Sequence, residues 1–239
     1  MPDPYISTRP LHLQLREILI RRIADGEWRA GDAIPNEIDL AREFGLSAGT
    51  VRKALDWMES AQLVSRQQGR GTFVRDQTSS EALTRFSSFR NADGSLIDDT
   101  ITEPVHTAGE ANSAEAAHLR LNGQDAVHRI EQTRLVGGEP FACEHLVLPA
   151  TMFPKVGAAT GGVRSIGETA FANGLLLSNG RETVTIGGAP QAAAQRLRIG
   201  EGTAVLVLDR VIEAIDGRPA EWRRSWCNIK SRIYLSRLG

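Results

Sequence analysis

Two groups of residues in this chain have types and spacing that could do chemistry. In the first, Ser47, Gly49, Thr50, Arg52 and Lys53 lie close together, and Gly69-Arg70-Gly71 follows. Basic side chains beside small residues allow a backbone to approach a polyanion and place charge on its phosphate oxygens. In the second, an arginine–glutamate pattern occurs twice. Arg134-Leu-Val runs into Gly138-Glu-Pro140 with Glu144 beyond, and Arg210-Val-Ile runs into Gly217-Arg-Pro219 with Glu221 beyond. Even offsets from each proline predict that each glutamate lies on its proline's side of the strand. Ser165-Ile-Gly-Glu168 has the S-x-x-E form of a helix cap, whose free N–H groups can hold an anion or simply start a helix. The histidines at 12, 106, 118, 128 and 145 form no HxxxH or HExxH pair, and Cys143 and Cys227 lack metal-ligand spacing. A zinc hydrolase is therefore not expected, nor is any metal or cofactor, and no nucleophile–base constellation stands out.

The first group needs a helical scaffold, and residues 1–75 supply one. Leu11, Leu15, Ile18, Leu19 and Ile23 form an apolar helical stripe that Gly26 ends. Asn36 can cap a second helix through Phe44, and Gly45 stops it. Ser47 caps a third, with Val51, Ala54, Leu55 and Met58 inward and Gly49, Lys53 and Asp56 outward, Arg52 on the flank. Leu63–Arg66, the glycine turn and Thr72–Val74 then make a hairpin. Two helices joined by Gly45-Leu46 are a helix-turn-helix by spacing, and the hairpin adds a wing with Arg70 at its tip. Helix, helix, helix, wing is an arrangement that fits double-stranded DNA. Residues 42–75 carry Arg42, Arg52, Lys53, Arg66, Arg70 and Arg75 against Glu43, Asp56 and Glu59, a local excess of basic charge within a chain of net charge −1.

The chain's 239 residues allow one large domain or two modest ones. Residues 76–82 hold no large apolar side chain and read as a linker. Residues 83–239 show alternating segments at 126–136, 141–149, 204–215 and 220–229, with helices near 113–120, 165–173 and 190–198. That pattern predicts an α+β domain with an antiparallel sheet. Hydrophobic residues at 41% and charged ones at 24% suit a folded chain. Two cysteines, no signal-peptide pattern and no long apolar run lead us to expect a cytoplasmic protein without a membrane partner.

Pro35-Asn-Glu-Ile-Asp-Leu-Ala41, Phe44-Gly-Leu-Ser47, Thr50-Val-Arg-Lys-Ala-Leu55 and Gln67-Gln-Gly-Arg-Gly-Thr-Phe-Val74 resemble the winged helix-turn-helix of GntR-type bacterial repressors. Arg134, Gly138-Glu-Pro140, Glu144, Leu148-Pro149, Phe153-Pro154, Asp216-Gly217-Arg-Pro219 and Glu221 resemble the UTRA effector domain of the HutC-like branch. The resemblance implies a chorismate-lyase-like antiparallel sheet with helices, a homodimer held through residues 83–239, operator DNA as partner and a small anionic or polar metabolite as effector. It places effector contacts at Arg134, Glu144 and Ser165, with Ser88 and Glu221 as further candidates. Ile38 and Ala48 stand where the family pattern has DNA-contacting arginines, and Gln132 and Gly167 where relatives often have arginine and tyrosine. The alternative, an enzyme with lyase-like chemistry in the second domain, rests on fold analogy alone.

Strand parity makes a sharper expectation. A two-residue turn at Gly137-Gly138 would put Arg134 and Glu144 on opposite faces of their hairpin, whereas an odd or bulged loop would bring them together. The odd loop is expected here, since one pocket needs both groups.

Overall fold

The computed structural model describes residues 10–76, 86–157 and 161–235. The chain forms two compact units, 1–79 and 80–239. Apart from Asp76, the expected linker lies outside the described residues.

In the first unit, helix α1 (Leu11–Ala24) is followed by strand β1 (Ala33–Ile34), helices α2 (Glu37–Phe44) and α3 (Ala48–Ser60), and strands β2 (Val64–Gln67) and β3 (Gly71–Val74). Asn36 caps α2 by accepting from the N–H groups of Ile38 and Asp39, and Gly45 ends it in the left-handed region at φ 63°. The Ser47 hydroxyl caps α3 through Thr50 N–H. Leu40, Val51, Leu55 and Met58 join Leu15 and Leu19 as almost fully buried side chains. The α1 stripe is rotated from its expected position: Ile20 is buried, while Leu11 and Ile18 are 56% and 39% exposed. The buried strip of α1 centres on Leu19, so the other two lie on its flanks. β1 was not anticipated; it pairs with β3 through Ala33↔Phe73 and Ile34↔Thr72, making the wing a three-stranded sheet.

The second unit is a six-stranded antiparallel sheet of order β5-β6-β7-β10-β9-β8. Its strands are β5 (Thr100–Glu110), β6 (Ala126–Val136), β7 (Glu139–Pro149), β8 (Leu177–Gly188), β9 (Ala204–Ala214) and β10 (Pro219–Cys227). Helices α4 (Ser113–Leu119), α5 (Ile166–Ala172) and α6 (Gln191–Leu197) intervene, and β4 (Phe89–Arg90) pairs with β11 (Ile233–Tyr234) as a separate ribbon. The four inner strands fall where alternation predicted them. The two missed, β5 and β8, are the sheet's edges, where Pro104 and a run of exposed residues erase the period-2 signal.

The turn between β6 and β7 corrects the expected loop. Val136 pairs with Glu139, so it is a two-residue turn with Gly137 and Gly138 at φ 59° and 80°, values that glycine adopts without strain. One step on, the register shifts: Leu135 faces Pro140 but Arg134 faces Ala142, leaving Phe141 as an extra residue. This bulge does what the odd loop was expected to do. Past it Gln132 faces Glu144, and Arg134 and Glu144 share one face. The second hairpin repeats the device, with Pro219 facing Glu213, Glu221 facing Ile212, and Ala220 extra. Each bulge also inverts parity after its proline, so Glu144 and Glu221 lie opposite their prolines rather than beside them.

Candidate functional site

The described unit 10–76 presents α3 and the wing to solvent. Ser47, Gly49, Arg52, Lys53, Gly69, Arg70 and Gly71 are exposed and Thr50 is half-buried. Thr50 Oγ1 lies 2.9 Å from the Ser47 hydroxyl. Arg70 tops a three-residue loop in which Gly69 adopts φ 73°, and its guanidinium sits 6.0 Å from the Phe73 ring centre. Arg52 is tied to Glu37, its Nη2 donating to Oε2 at 2.8 Å. Asp56, on the same outward face, pairs with Arg66. Ile38 is 67% exposed on the first turn of α2.

In the second unit, one sheet face carries two apolar clusters with a polar site between them. Ile130, Leu146, Leu148 and Ile212 pack under Phe153, Val163 and α5 on one side. Phe141, Ala142, Leu208 and Cys227 pack under Phe89 and Tyr234 on the other. The rungs between them belong to Gln132, Arg134 and Glu144 from the first hairpin and to Arg210, Glu221 and Arg223 from the second. A cavity of about 40 Å³ opens there, lined among others by Ser88, Arg134, Glu144, Ser165 and Arg210. Four of the five expected effector residues thus meet at one cavity. Glu221, fully buried, stands behind it and holds Arg210 at 2.9 Å and Arg223 at 2.6 Å. Ser165 caps α5 by accepting from Glu168 N–H at 3.2 Å.

The charges are closely matched. Arg134 binds Asp99 at 2.7 Å and approaches Glu144 at 3.7 Å. Arg223 reaches Glu144 at 3.0 Å. The Gln132 amide donates to Glu144 at 2.7 Å and to Val163 O at 2.9 Å, while its oxygen accepts from Val163 N–H. Gly162, at φ 90°, makes this last contact possible: a Cβ there would come within 2.8 Å of Ile101 and 2.9 Å of the Gln132 oxygen. Burial alone would raise the Glu144 carboxyl, but Arg223, Arg134, the Gln132 amide and Arg210 outweigh it and hold it at about 2. Burial would likewise lower the Arg223 guanidinium, and its two glutamates push it up instead. Glu182 accepts from the Tyr234 hydroxyl; burial first and this carboxylate second raise Tyr234 to about 12. Arg210 Nε is buried with no hydrogen-bond partner among the described residues.

Sequence reasoning missed Asp99, Glu182 and Arg223 as members of this cluster. Arg210 was visible only as a member of the repeat, and Gln132 only as a departure from the family pattern. The signal for Arg223 was available: β10 alternates Glu221, Arg223 and Ser225 with Trp222 and Trp226, and the tryptophans mark the opposite face. Cys143 and Cys227 are buried free thiols, both pushed up chiefly by burial, Cys143 to about 11. Among the described residues no cluster of metal-ligating side chains occurs, and no helix is long and apolar enough to cross a membrane.

Comparison with known proteins agrees with this architecture. Residues 11–74 match the family described as bacterial regulatory proteins, gntR family, and residues 105–231 match the UTRA domain. The chain is 25% identical to the HTH-type transcriptional regulator SmoD of Agrobacterium fabrum, over 96% of both chains. It is 26% identical to the repressor NagR of Bacillus subtilis, over 92% of this chain and 90% of that one. It is 31% identical to the mannosyl-D-glycerate system repressor MngR of Escherichia coli, over 62% of each. Among solved structures, YydK of Bacillus subtilis superposes with a TM-score of 0.58 over 95% of this chain and 99% of that one, at 14% identity. PhnF of Mycobacterium smegmatis does so with 0.54 over 94% and 99%, at 21%. SmoD, NagR and MngR are named as regulators or repressors, and the lyase alternative finds no support among them. A winged helix-turn-helix followed by a six-stranded sensor sheet, with both family models matched in that order, makes this chain a member of the GntR-type bacterial transcriptional regulators, in the HutC-like branch that carries a UTRA effector-binding domain.

Proposed function

We propose that the chain is a cytoplasmic, homodimeric repressor, without a membrane partner, that binds operator DNA through residues 1–75 and is controlled by a small metabolite held in residues 83–239. DNA contacts fall to Ser47, Gly49, Thr50, Arg52 and Lys53 on α3 and to Gly69, Arg70 and Gly71 on the wing. Effector contacts fall to Ser88, Arg134, Glu144 and Ser165, with Glu221 fixing the arginines behind them. The observation that supports a ligand is the Arg210 Nε, a buried donor beside the cavity with no hydrogen-bond partner among the described residues. Leaving such a donor unmet costs roughly 1–3 kcal/mol, which an acceptor atom of a bound molecule offsets.

The site's charge selects the ligand class. Arg134, Arg164, Arg210 and Arg223 are opposed by Asp99, Glu144, Glu182 and Glu221. A multiply charged anion would have to displace these carboxylates, so the ligand is polar and of low net charge. Native mass spectrometry of freshly purified full-length protein tests the reading. A stoichiometric small molecule, lost on dialysis and carrying at most one net negative charge, is expected. A protein that retains no small molecule and shows no stabilisation by any polar metabolite in a thermal-shift screen would overturn it.

A further inference from the structure

Arg52 does not project freely from α3. Its Nε and Nη2 both donate to Glu37 Oε2, at 3.0 and 2.8 Å, although its side chain is 63% exposed and that of Glu37 27%. An exposed ion pair between two long side chains is ordinarily weak and loosely held. This one is anchored from behind. Glu37 is the first residue of α2, whose turn is fixed by the Asn36 cap, and its other oxygen lies 3.6 Å from Arg66. Arg66 is in turn bound to Asp56 and its N–H donates to Glu59. The Nε–Nη2 edge of Arg52 is therefore occupied, while its end-on edge, Nη1 with the outer hydrogen of Nη2, makes no hydrogen bond among the described residues on a side chain that is largely exposed. Two parallel donors on a rigid plane match the N7 and O6 acceptors that guanine displays in the major groove. Beside its contact with Arg66 and its place in the first turn of α2, the Glu37 carboxylate thus also fixes the plane of the Arg52 guanidinium.

We propose that Glu37 is a positioning residue for base recognition, holding the Arg52 guanidinium so that Nη1 and Nη2 read N7 and O6 of one guanine in each operator half-site. This rests on the reading of α3 as the DNA-contacting helix. The test uses the full-length chain. A duplex is selected from a randomised library, and binding is measured by fluorescence anisotropy for wild type, Arg52→Ala and Glu37→Gln. The probes are the selected duplex, copies with each guanine replaced in turn by 7-deazaguanine, which lacks the N7 acceptor, and a scrambled duplex.

One position per half-site is expected at which 7-deazaguanine weakens wild type by roughly tenfold. Arg52→Ala should be insensitive to that replacement. Glu37→Gln should lose most of the discrimination yet bind the scrambled duplex at least as tightly as wild type, because a negative charge has gone. Equal weakening of Glu37→Gln on both duplexes, the mark of a merely structural role, would overturn the proposal. So would a wild type indifferent to 7-deazaguanine at every position. Failure to select any duplex would instead contradict the DNA-contacting assignment itself.

Discussion

Arg52 and Arg70 sit on separate elements of the DNA-binding unit, and neither supports its core. Replacing either by alanine should weaken operator binding roughly ten- to hundredfold, with circular dichroism and the thermal midpoint unchanged. Wild-type affinity for both variants at low salt would refute their roles. Glu144 differs in that its charge, besides lining the effector cavity, also holds the sensor together. Glu144→Gln leaves Arg223 buried with Glu221 alone and should cost about 3–5 kcal/mol of sensor stability. Because its folded-state pKa of about 2 lies below the ordinary 4.5, its stabilisation is complete above that ordinary value. It is lost as pH falls from about 4.5 toward 2. Acid titration followed by tryptophan fluorescence should show the sensor loosening in that window, and Glu144→Gln should remove this part of the pH dependence.

At the scale of elements, the first unit was legible because each signal is local. Asn36, Gly45 and Ser47 act on the turn that contains them, and Val51, Ala54, Leu55 and Met58 repeat at helical spacing. Leu55→Ala should accordingly cost roughly 2–5 kcal/mol in the helical unit. The sensor site was less legible because its geometry depends on register. No local feature distinguishes the bulge residue Phe141 from its neighbours; its extra place in the ladder follows from pairing across two strands. Asp99 and Glu182 lie in and beside edge strands that carry no alternation, and Arg223 is brought to Glu144 by pairing between strands far apart in sequence. Gly162 shows how tightly the arrangement closes. Gly162→Ala should lower the thermal stability of the sensor by pushing against Gln132 and Ile101, while the helical unit, followed by amide exchange, remains unchanged. Equal protection of the sensor in both proteins would contradict that packing role.

For the whole molecule, one α3 reads only a few base pairs, so specificity calls for two heads on a two-fold related site. Sedimentation at micromolar concentration should give a dimer for the full chain and a monomer for residues 1–76. A monomeric full chain would contradict the assembly proposed here. Binding should fall steeply with salt, as counterion release requires. The central claim is that a metabolite in the sensor sets the affinity of the DNA-binding unit, and its most direct test is a single equilibrium. The dissociation constant of the full-length protein for its selected duplex should be measured with and without a saturating amount of the molecule that native mass spectrometry finds on the protein. A change of roughly tenfold or more is predicted, since a ligand that prefers one conformation must shift the other site's affinity by the same coupling. An unchanged constant at full occupancy of the sensor would contradict the account.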